Sequence, residues 1–469
     1  MLKQSLIASA CLLAFAQGAQ AAGEAKNVIF FLGDGMGPAT VTAARIYKYK
    51  EEGALNMEKL DGAARTARIK TYSNDAQTTD SAPSMAAYMT GVKMNNEVIS
   101  MSPDTQAVDK SGNAYLKGAD SVCPADNGKA VDTILEIAKA KGKAVGSITT
   151  TRVTHATPAT TYAHVCHRDA ENAIAVQAVP NGAGYNAKLG TGLDVLMGGG
   201  SKFFLPTTAK GARTDGRDLI AEMKTNGYSF AGTGTELAAL DASKATKLLG
   251  LFTSSHMDYE LDRVKQKKDQ PSLSQMTTKA IEVLAKKPEG FFLMVEGGRI
   301  DHALHGNNAK RVMDDTIAFD DAIKTALDEM QKRDPGLKNT LIVVTADHDH
   351  TLTINGYGKR GSNILGTVKN YRDGTEAKDA DGNNYTTLVF GNSSNRKPTR
   401  TMLIEGDADK SQVLHDDYQQ EGGIRVGDGG ETHGGGDVML FATGAGSKTF
   451  KGTMVNTKVF SLVKDAFGF

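Results

Sequence analysis

The sequence contains no tryptophan, and aromatic residues make up only 6% of its 469 residues. Proteins that bind single-stranded nucleic acid stack bases on aromatic side chains, so this composition argues against such a platform. Net charge is lacking too, because 54 Lys and Arg residues balance 54 Asp and Glu residues. No overall field would draw the chain to nucleic acid or to an anionic membrane, and we expect neither as a partner.

Long apolar runs are also scarce. The N-terminal run, Leu6–Ala16, is too short to span a bilayer, and no stretch of about 18 apolar residues follows it. With Lys3 before it and Ala19-Gln20-Ala21 after it, this run is typical of a secretory signal peptide over residues 1–21. A membrane anchor is the alternative. We therefore expect a periplasmic or secreted protein whose mature chain, residues 22–469, is soluble.

Only three cysteines are present. Cys11 lies within the signal segment, which leaves Cys123 and Cys166 in the mature chain. This pair could form a disulfide, which would stabilise the fold by about 2–4 kcal/mol, or remain as two buried thiols. Two cysteines do not make a zinc site, so histidines and carboxylates must hold any metal ion.

Short apolar runs alternate with amphipathic patterns along the chain. Helical spacing is clearest over Ala130–Lys141 and Ala309–Lys332. The runs that predict buried strands are Asn27–Leu32, Ala144–Thr149, Asp194–Met197, Phe291–Val295, Thr340–Thr345 and Asp437–Phe441. This alternation predicts an α/β fold with a largely parallel sheet that is covered by helices on both faces.

The stretch from 355 to about 420 departs from this alternation. It is rich in Gly, Asn, Asp and Lys and has only short apolar runs, such as Thr387–Phe390. We interpret it as a small β-rich subdomain inserted into the domain of residues 22–469. A mobile loop is the alternative.

Acidic residues and histidines directly follow three of the predicted strands. Asp34 follows the first run, Asp347–His350 follows the run that ends at Thr345, and Glu296–His305 follows the run that ends at Val295. Open α/β sheets bind ligands at the carboxyl ends of their strands. One such cluster alone could be an ordinary acidic turn, but these three hold four of the ten histidines and predict a site.

Spacing within these clusters suits metal binding. Asp301 and His305 are four residues apart, so one helical turn presents both on the same side. His433, in a glycine-rich segment, is the best candidate for a third ligand, which leaves the open position of a catalytic zinc. A second ion could be held by residues from other strand ends, namely Asp34, Asp347 and His348.

Ser81 is the candidate nucleophile. The residues after it favour a helix, and Pro83 is tolerated in a first turn. Ser81 would then lie at a helix N-terminus, where free N–H groups favour a phosphate, although a serine there is often only a cap. A serine beside two metal ions can be activated without a histidine base. Ser81-x-Pro83 also begins a sulfatase signature, but that pattern requires Arg where Met85 stands.

Thr157 and Arg168 follow another predicted strand. A threonine hydroxyl can bind a hard cation, and an arginine can hold two phosphate oxygens at once. Each residue alone would be unremarkable on a protein surface.

These motifs together resemble the alkaline phosphatases, in order and over nearly the whole mature chain. The segments that carry the resemblance are Gly33–Gly37, Asp80–Ala82, Gly91–Lys93, His155–Pro158, Glu296–His305, Thr345–His348 and Thr432–Gly434. The resemblance implies the alkaline-phosphatase-like three-layer sandwich, two Zn²⁺ and one Mg²⁺ per chain, and a homodimer.

The resemblance also implies a role for each matching residue. The first zinc would be held by Asp301, His305 and His433, and the second by Asp34, Asp347, His348 and the Ser81 oxygen. Magnesium would be bound by Asp34, Thr157 and Glu296, and Arg168 matches the arginine that clamps phosphate. His350 would orient a ligand or the seryl phosphate without binding metal, and His155 and His302 would lie behind the ligands, also without binding metal. His155 and His302 stand where some bacterial members have an acid and a lysine, which leaves the third site's metal preference open.

The predicted activity is hydrolysis of small phosphate monoesters through a phosphoserine on Ser81. A phosphodiesterase of the same superfamily would share both zinc sites but would lack the Arg168 clamp and the third metal set. A non-catalytic binder of phosphate or metal would need the ligands but no nucleophile.

Overall fold

The protein is described by a computed structural model that covers residues 24–60, 65–406 and 410–469. The predicted signal peptide, residues 1–21 with Cys11, lies outside the described residues. Across those three ranges, no helix has the length and apolar character needed to cross a membrane.

A large twisted sheet organises the described residues. Its ten strands there run in the order β17-β2-β16-β10-β1-β9-β5-β6-β8-β7. Strand β16 is antiparallel to both of its neighbours, whereas the other pairs are parallel. The strands of this sheet are β1 (Asn27–Gly33), β2 (Thr66–Lys70), β5 (Ala144–Arg152), β6 (Val195–Gly199), β7 (Ser229–Ala231), β8 (Leu248–Leu251), β9 (Phe291–Gly297), β10 (Thr340–Ala346), β16 (Val438–Gly444) and β17 (Gly452–Val455).

Short strands form smaller sheets outside this one. They are β3 (Leu116–Lys117) with β4 (Asp120–Ser121), β11 (Asp349–His350) with β15 (His433–Gly434), and β12 (Leu352–Ile354) with β13 (Leu388–Ser393) and β14 (Gly422–Arg425). The α-helices are α1 (Pro38–Tyr49), α2 (Ser81–Thr90), α3 (Ile134–Ala140), α4 (Ala156–Ala159), α5 (Glu171–Gln177), α6 (Leu219–Thr225), α7 (Gly234–Ala239), α8 (Glu260–Lys265), α9 (Leu273–Leu284), α10 (Arg299–His305), α11 (Ala309–Arg333) and α12 (Asn456–Phe467).

Helices cover both faces of the large sheet. Successive residues of a strand point to opposite faces. Phe30 in β1 packs on Tyr88 of α2, with ring centroids 5.6 Å apart, whereas Phe31 packs on Phe319 of α11 at 5.8 Å. Helices α1, α8, α9 and α10 contact α11, and α3, α4 and α12 contact α2. The three-layer α/β architecture predicted from the sequence is confirmed.

The predicted elements are found close to their expected bounds. All six apolar runs form strands of the large sheet, and the second helical pattern forms α11. The first pattern is shorter than predicted from Ala130, because Thr133 caps the helix. The Thr133 hydroxyl accepts a hydrogen bond from the Glu136 N–H (3.2 Å), and the Glu136 carboxylate accepts one from the Thr133 N–H (2.8 Å).

The stretch from 355 to 420 has little regular structure. Strand β13 lies within it, and isolated bridges such as Thr367 to Thr386 and Lys378 to Asn384 join its turns. The other two strands of its sheet, β12 and β14, lie just outside it. The division of the chain into a domain and an inserted subdomain stays a prediction.

A disulfide joins Cys123 to Cys166, which are 43 residues apart. The sequence left this pairing open. The bond ties the segment that follows the β3–β4 hairpin to the loop that carries Arg168.

Candidate active site and metal centre

The site forms where three adjacent central strands end. Strand β1 lies between β9 and β10, and Gly33 at its end pairs with Gly297 on one side and Ala346 on the other. Asp34 directly follows β1 and Asp347 directly follows β10, so both carboxylates emerge at the same edge of the sheet. Asp34, Asp347 and Glu296 are fully buried there.

Asp301, His305 and His433 come together at this edge. Asp301 and His305 lie one turn apart on α10, and the pairing of β11 with β15 brings His433 beside His350. The His305 Nε2 atom lies 3.4 Å from Asp301 Oδ1 and 3.1 Å from His433 Nε2, and the remaining side of this triangle is 3.6 Å. Three ligands of a tetrahedral zinc, each about 2.0 Å from the ion, would be spaced by about 3.3 Å.

Hydrogen bonds to backbone carbonyls define the tautomers of these two histidines. His433 Nδ1 faces the Thr79 carbonyl oxygen at 2.8 Å, and His305 Nδ1 faces that of Glu431. A carbonyl can only accept, so Nδ1 carries the proton and the Nε2 atoms present lone pairs. Two lone pairs and a carboxylate that face one another need a cation between them. The donor set therefore fits a metal ion, with the carbonyls orienting its ligands.

A second group contains Asp34, Asp347, His348 and Ser81. The His348 Nδ1–H donates to the Asp349 carbonyl (3.1 Å), so its Nε2 lone pair faces inward. That Nε2 lies 3.2 Å from Asp34 Oδ1, 3.6 Å from Asp347 Oδ2 and 3.3 Å from the Ser81 hydroxyl. Both Asp34 Oδ2 and Asp347 Oδ2 are buried and have no hydrogen-bond partner in the described residues. These unpaired oxygens fit a bound cation.

Ser81 is the first residue of α2, as the sequence predicts. Asp80 caps the helix, because its carboxylate accepts a hydrogen bond from the Ala82 N–H (3.2 Å). The Ser81 hydroxyl is free of that role and lies 3.4 Å from Asp34 Oδ1. Asp80 also forms an ion pair with Arg168, whose guanidinium is largely buried. The helix cap thereby fixes the position of Arg168 relative to Ser81.

Asp34, Thr157 and Glu296 form a third group around buried oxygens. Thr157 Oγ1 and Glu296 Oε1 are buried, and neither has a hydrogen-bond partner among the described side chains. Glu296 Oε2 accepts hydrogen bonds from the hydroxyls of Thr149 and Thr151. Oxygen ligands of this kind suit magnesium. A His155 nitrogen lies within 4.8 Å of ligand atoms of Asp34 and Glu296, so this histidine borders the group.

The electrostatics of these groups reflect crowded negative charge. Burial and the neighbouring Asp34 carboxylate raise the pKa of Asp347 and of Glu296 well above the usual range. Burial opposes the charged form of His348, but Asp347 and Asp34 outweigh it and raise its pKa to about 10. A bound cation would take the place of the protons that these pKa values retain.

Sequence reasoning did not assign a role to Glu431. This residue is buried, and its carboxylate lies 2.5 Å from His350 Nδ1, while His350 Nε2 lies 2.7 Å from Asp301 Oδ1. Glu431 thus fixes His350, which in turn contacts Asp301 of the first group. Its position in the sequence could have indicated a place in the site, because Glu431 is two residues from the candidate ligand His433.

His256 is a second residue that the sequence analysis did not single out. It follows β8, another parallel strand of the large sheet, and packs edge-on against His155 and His302, with ring centroids 5.2 and 4.3 Å away. The rule that ligands lie at the carboxyl ends of parallel strands could have found it, since Leu251 ends β8 only five residues earlier.

Comparison with known proteins identifies the family of this chain. The family model "Alkaline phosphatase" matches residues 25–469. The tissue-nonspecific alkaline phosphatase isozyme of Rattus norvegicus is 37% identical over 454 residues, which cover 90% of this chain and 79% of the relative.

Solved structures of the same family are similar in fold. The alkaline phosphatase of Thermus thermophilus has a TM-score of 0.68 and 28% identity, over 97% of this chain and 95% of that one. A TAB5 alkaline phosphatase variant with magnesium bound has a TM-score of 0.65 and 26% identity, over 96% of this chain and 99% of that one. The chain described here therefore belongs to the alkaline phosphatase family and is a phosphomonoesterase.

Proposed function

We propose that the protein hydrolyses phosphate monoesters through a phosphoserine on Ser81, at a site that holds two zinc ions and one magnesium ion. The observation that carries this proposal is the placement of the Ser81 hydroxyl. It lies at the N-terminus of α2, within 3.4 Å of Asp34 and His348, which are both candidate ligands of a cation. Helix N–H groups at this point favour a phosphate.

Each group of residues has a separate role in the proposed reaction. Asp301, His305 and His433 would hold one zinc, Asp34, Asp347 and His348 the other, and Asp34, Thr157 and Glu296 the magnesium. When bound, the ions supply positive charge that favours the serine alkoxide and neutralises phosphate oxygens. Ser81 Oγ loses its proton to solvent and attacks phosphorus in line with the departing alcohol oxygen, which takes up a proton from water. Water then displaces Ser81 from the phosphoserine, which releases inorganic phosphate.

Arg168 supports monoesters over diesters. Its guanidinium can donate two parallel hydrogen bonds to phosphate oxygens, and a diester has an ester group where a monoester has its extra oxygen. Together with the Asp34, Thr157 and Glu296 set, Arg168 favours the monoesterase over a phosphodiesterase. We expect turnover of p-nitrophenyl phosphate to exceed that of bis-(p-nitrophenyl) phosphate. A higher rate on the diester would support the phosphodiesterase.

Substitution of Ser81 tests the covalent step. Ser81→Ala should lower kcat on p-nitrophenyl phosphate by about 10³-fold or more, because the variant lacks the hydroxyl that lies beside both Asp34 and His348. Rapid acid quench of the wild type with ³²P-labelled substrate should trap label on the peptide that contains Ser81. Ser147→Ala is the matched control, since Ser147 is buried in β5 and its hydroxyl has no hydrogen-bond partner in the described part of the chain. Near-full turnover in Ser81→Ala would exclude the phosphoserine.

Metal analysis tests the proposed stoichiometry. Elemental analysis of the purified protein should find about two zinc ions and one magnesium ion per chain. EDTA should abolish turnover, and both ions should be needed to restore it fully. Phosphate binding without turnover in the restored protein would favour the non-catalytic binder instead.

Export and dimerisation are part of the same proposal. The signal-peptide pattern of residues 1–21 supports a periplasmic or secreted protein. The homodimer is supported by the family and by exposed apolar side chains around the predicted insertion, such as Tyr357 and Ile424. Light scattering on the mature chain should give the mass of a dimer.

A further inference from the structure

Three histidines form a cluster beside the candidate metal groups. His155 follows β5, His256 follows β8, and His302 lies on α10. Their ring centroids lie 4.3–5.3 Å apart, and one nitrogen of each lies within 4.8 Å of the others. His155 is largely buried, whereas His256 and His302 are partly open to solvent. By spacing alone the cluster could hold either a metal ion or an anion.

Arginines decide which nitrogen of each ring carries the proton. Arg168 lies 3.0 Å from His155 Nε2, Arg299 lies 2.8 Å from His302 Nδ1, and Arg152 contacts His256 Nε2. A guanidinium has only donors, so the nitrogen that faces it must accept. The proton of each neutral imidazole therefore lies on the other nitrogen.

The cluster thus presents N–H groups where the zinc candidates present lone pairs. His305 and His433 face carbonyl oxygens, which fix the opposite tautomer. In the cluster, the remaining nitrogens of His155 and His256, both Nδ1, are buried and have no hydrogen-bond partner in the described residues. Buried donors without an acceptor are costly, so these two atoms indicate that an acceptor binds here.

The charges around the cluster favour an anion as that acceptor. Arg152 is paired with Glu171, and Arg168 with Asp80. Arg299 lies over the ring of Tyr259, 3.7 Å from its centroid, and Lys202 adds further positive charge near His256. Carboxylates approach the cluster too: Asp301 lies next to His302, and Asp34 and Glu296 have oxygens within 4.8 Å of a His155 nitrogen. With their free nitrogens protonated, however, the three rings offer a divalent cation no lone pair, and a water molecule would need acceptors for its own hydrogens.

We propose that His155, His256 and His302, with Arg299, form a second oxyanion site that binds one phosphate group beside the candidate active centre. An oxygen centred between nitrogens spaced by up to 4.8 Å lies about 2.8 Å or less from each, which is hydrogen-bond range. The phosphate can be free in solution or can be carried on a substrate that bears two phosphate groups. The proposal concerns binding and does not depend on Ser81 as nucleophile.

Phosphate stoichiometry tests the site in the metal-loaded protein. Equilibrium dialysis with inorganic phosphate should give two phosphates per chain for the wild type and one for His256→Phe, which keeps a ring but loses the N–H. His415→Leu, a histidine in the region of the predicted insertion, should still bind two. One phosphate in the wild type would exclude a site for free phosphate. If the wild type instead binds one phosphate and an additional zinc ion, and His256→Phe loses that zinc ion, the cluster is a metal site and the proposal is overturned.

Paired substrates separate the two sources of phosphate. If the group is carried on a substrate, His256→Phe should lower kcat/KM for 1,3-propanediol bisphosphate by about tenfold relative to the monophosphate, since a hydrogen bond to a charged group contributes about that factor or more. An unchanged ratio, together with one bound phosphate, would overturn the proposal in both forms. Crystals of the wild type soaked in tungstate give a test that needs no variant. Anomalous density between the three rings is expected, and its absence would contradict the site.

Discussion

Asp315 shows at the residue scale how burial perturbs a carboxyl near the site. It lies in α11, is largely buried, and accepts long hydrogen bonds of 3.3 and 3.4 Å from the Glu260 N–H. Burial raises its pKa to about 8, although the Arg299 charge opposes that shift. The folded protein therefore keeps a proton on Asp315 at pH values where the unfolded chain has released it.

Asp315→Asn should stabilise the protein more at alkaline than at acidic pH. The folded pKa is higher than the unfolded value of 3.8, so the wild type loses stability as pH rises from about 4 to 8. The amide does not titrate, so the gain relative to wild type should grow between pH 5 and pH 8, by at most about 4 kcal/mol. Denaturant unfolding at both pH values measures it. An equal effect at both would show that Asp315 titrates normally.

The control is a second buried carboxyl of α11, which accepts hydrogen bonds from the backbone of a neighbouring segment. Asp320, also in α11, accepts short hydrogen bonds of 2.9 Å from the backbone N–H groups of Asn56 and Met57. Asp320→Asn removes charge from bonds that are well formed, so it should destabilise the protein at both pH values. Burial also raises the pKa of Asp320, so its effect should vary with pH in the same direction, and the control distinguishes the two variants by the sign of the stability change.

At the element scale, the N-terminus of α2 joins the nucleophile to the phosphate clamp. Asp80 caps the helix through the Ala82 N–H and pairs with Arg168. These two roles belong to one carboxylate, and they can be separated by substitution. Asparagine keeps a capping oxygen and removes the charge, whereas alanine removes both.

We expect Asp80→Ala, but not Asp80→Asn, to lower the free energy of unfolding by about 1 kcal/mol through loss of the cap. Both variants free the guanidinium of Arg168 from its ion pair, so both should change KM for p-nitrophenyl phosphate. Thermal unfolding and steady-state kinetics on the same samples measure the two effects. If both variants lose the same stability, the ion pair and not the cap supports the helix.

The Cys123–Cys166 disulfide acts at the same scale. It closes a loop across 43 residues and ends two residues before Arg168. Replacing both cysteines by alanine should lower the free energy of unfolding by about 2–4 kcal/mol, chiefly because the unfolded chain gains freedom. A thiol reductant should have the same effect on the wild type and none on the double variant. A stability equal to that of wild type would mean that the pair does not form in the native protein.

At the scale of the whole molecule, metal ions link the three ligand groups to the stability of the fold. Asp34, Asp347 and Glu296 are buried close together, and without cations their negative charges oppose folding. Removal of metal should therefore destabilise the entire sheet edge and not only abolish turnover.

The stability lost on metal removal should increase with pH. In the metal-free protein, the raised pKa values of Asp347 and Glu296 cause stability to fall as pH rises above about 4. The raised pKa of His348, about 10, contributes stability below pH 6.5 that is lost towards pH 10. Both effects have the same sign. Calorimetry of EDTA-treated and metal-loaded protein at pH 5.5 and 9 should show the larger difference in Tm at pH 9; a constant difference would contradict the proposed ligand set.

Much of the fold could be predicted from local sequence patterns. The runs at Asn27–Leu32 and Thr340–Thr345 are apolar because parallel strands are buried on both faces, and the structure places both in the centre of the sheet. The residues after them were identified as candidate ligands, because strand ends are determined by the same patterns. The position of Asp301 and His305 on one side of a helix could be predicted from the helical repeat alone.

Contacts between distant segments could not be predicted from those patterns. Neither the sheet order nor the scarcity of strands in the predicted insertion follows from any one segment, and His256 reaches His302 only because β8 lies in the same sheet as β9. The pairing of Glu431 with His350 likewise joins residues 81 positions apart. Such contacts depend on strand order and loop paths, which are global properties of the chain.

The sequence by itself determined the main strands and helices and the candidate ligands at the strand ends, because these are encoded in short-range patterns, and its motifs indicated the family. Only the tertiary structure decided which protons and charges those residues present. His305 and His433 each donate one ring N–H to a backbone carbonyl, so their other nitrogens present lone pairs. His155, His256 and His302 each accept from an arginine, so their other nitrogens carry the proton. Residue type is the same in both clusters, and the partners that the fold supplies set the chemistry.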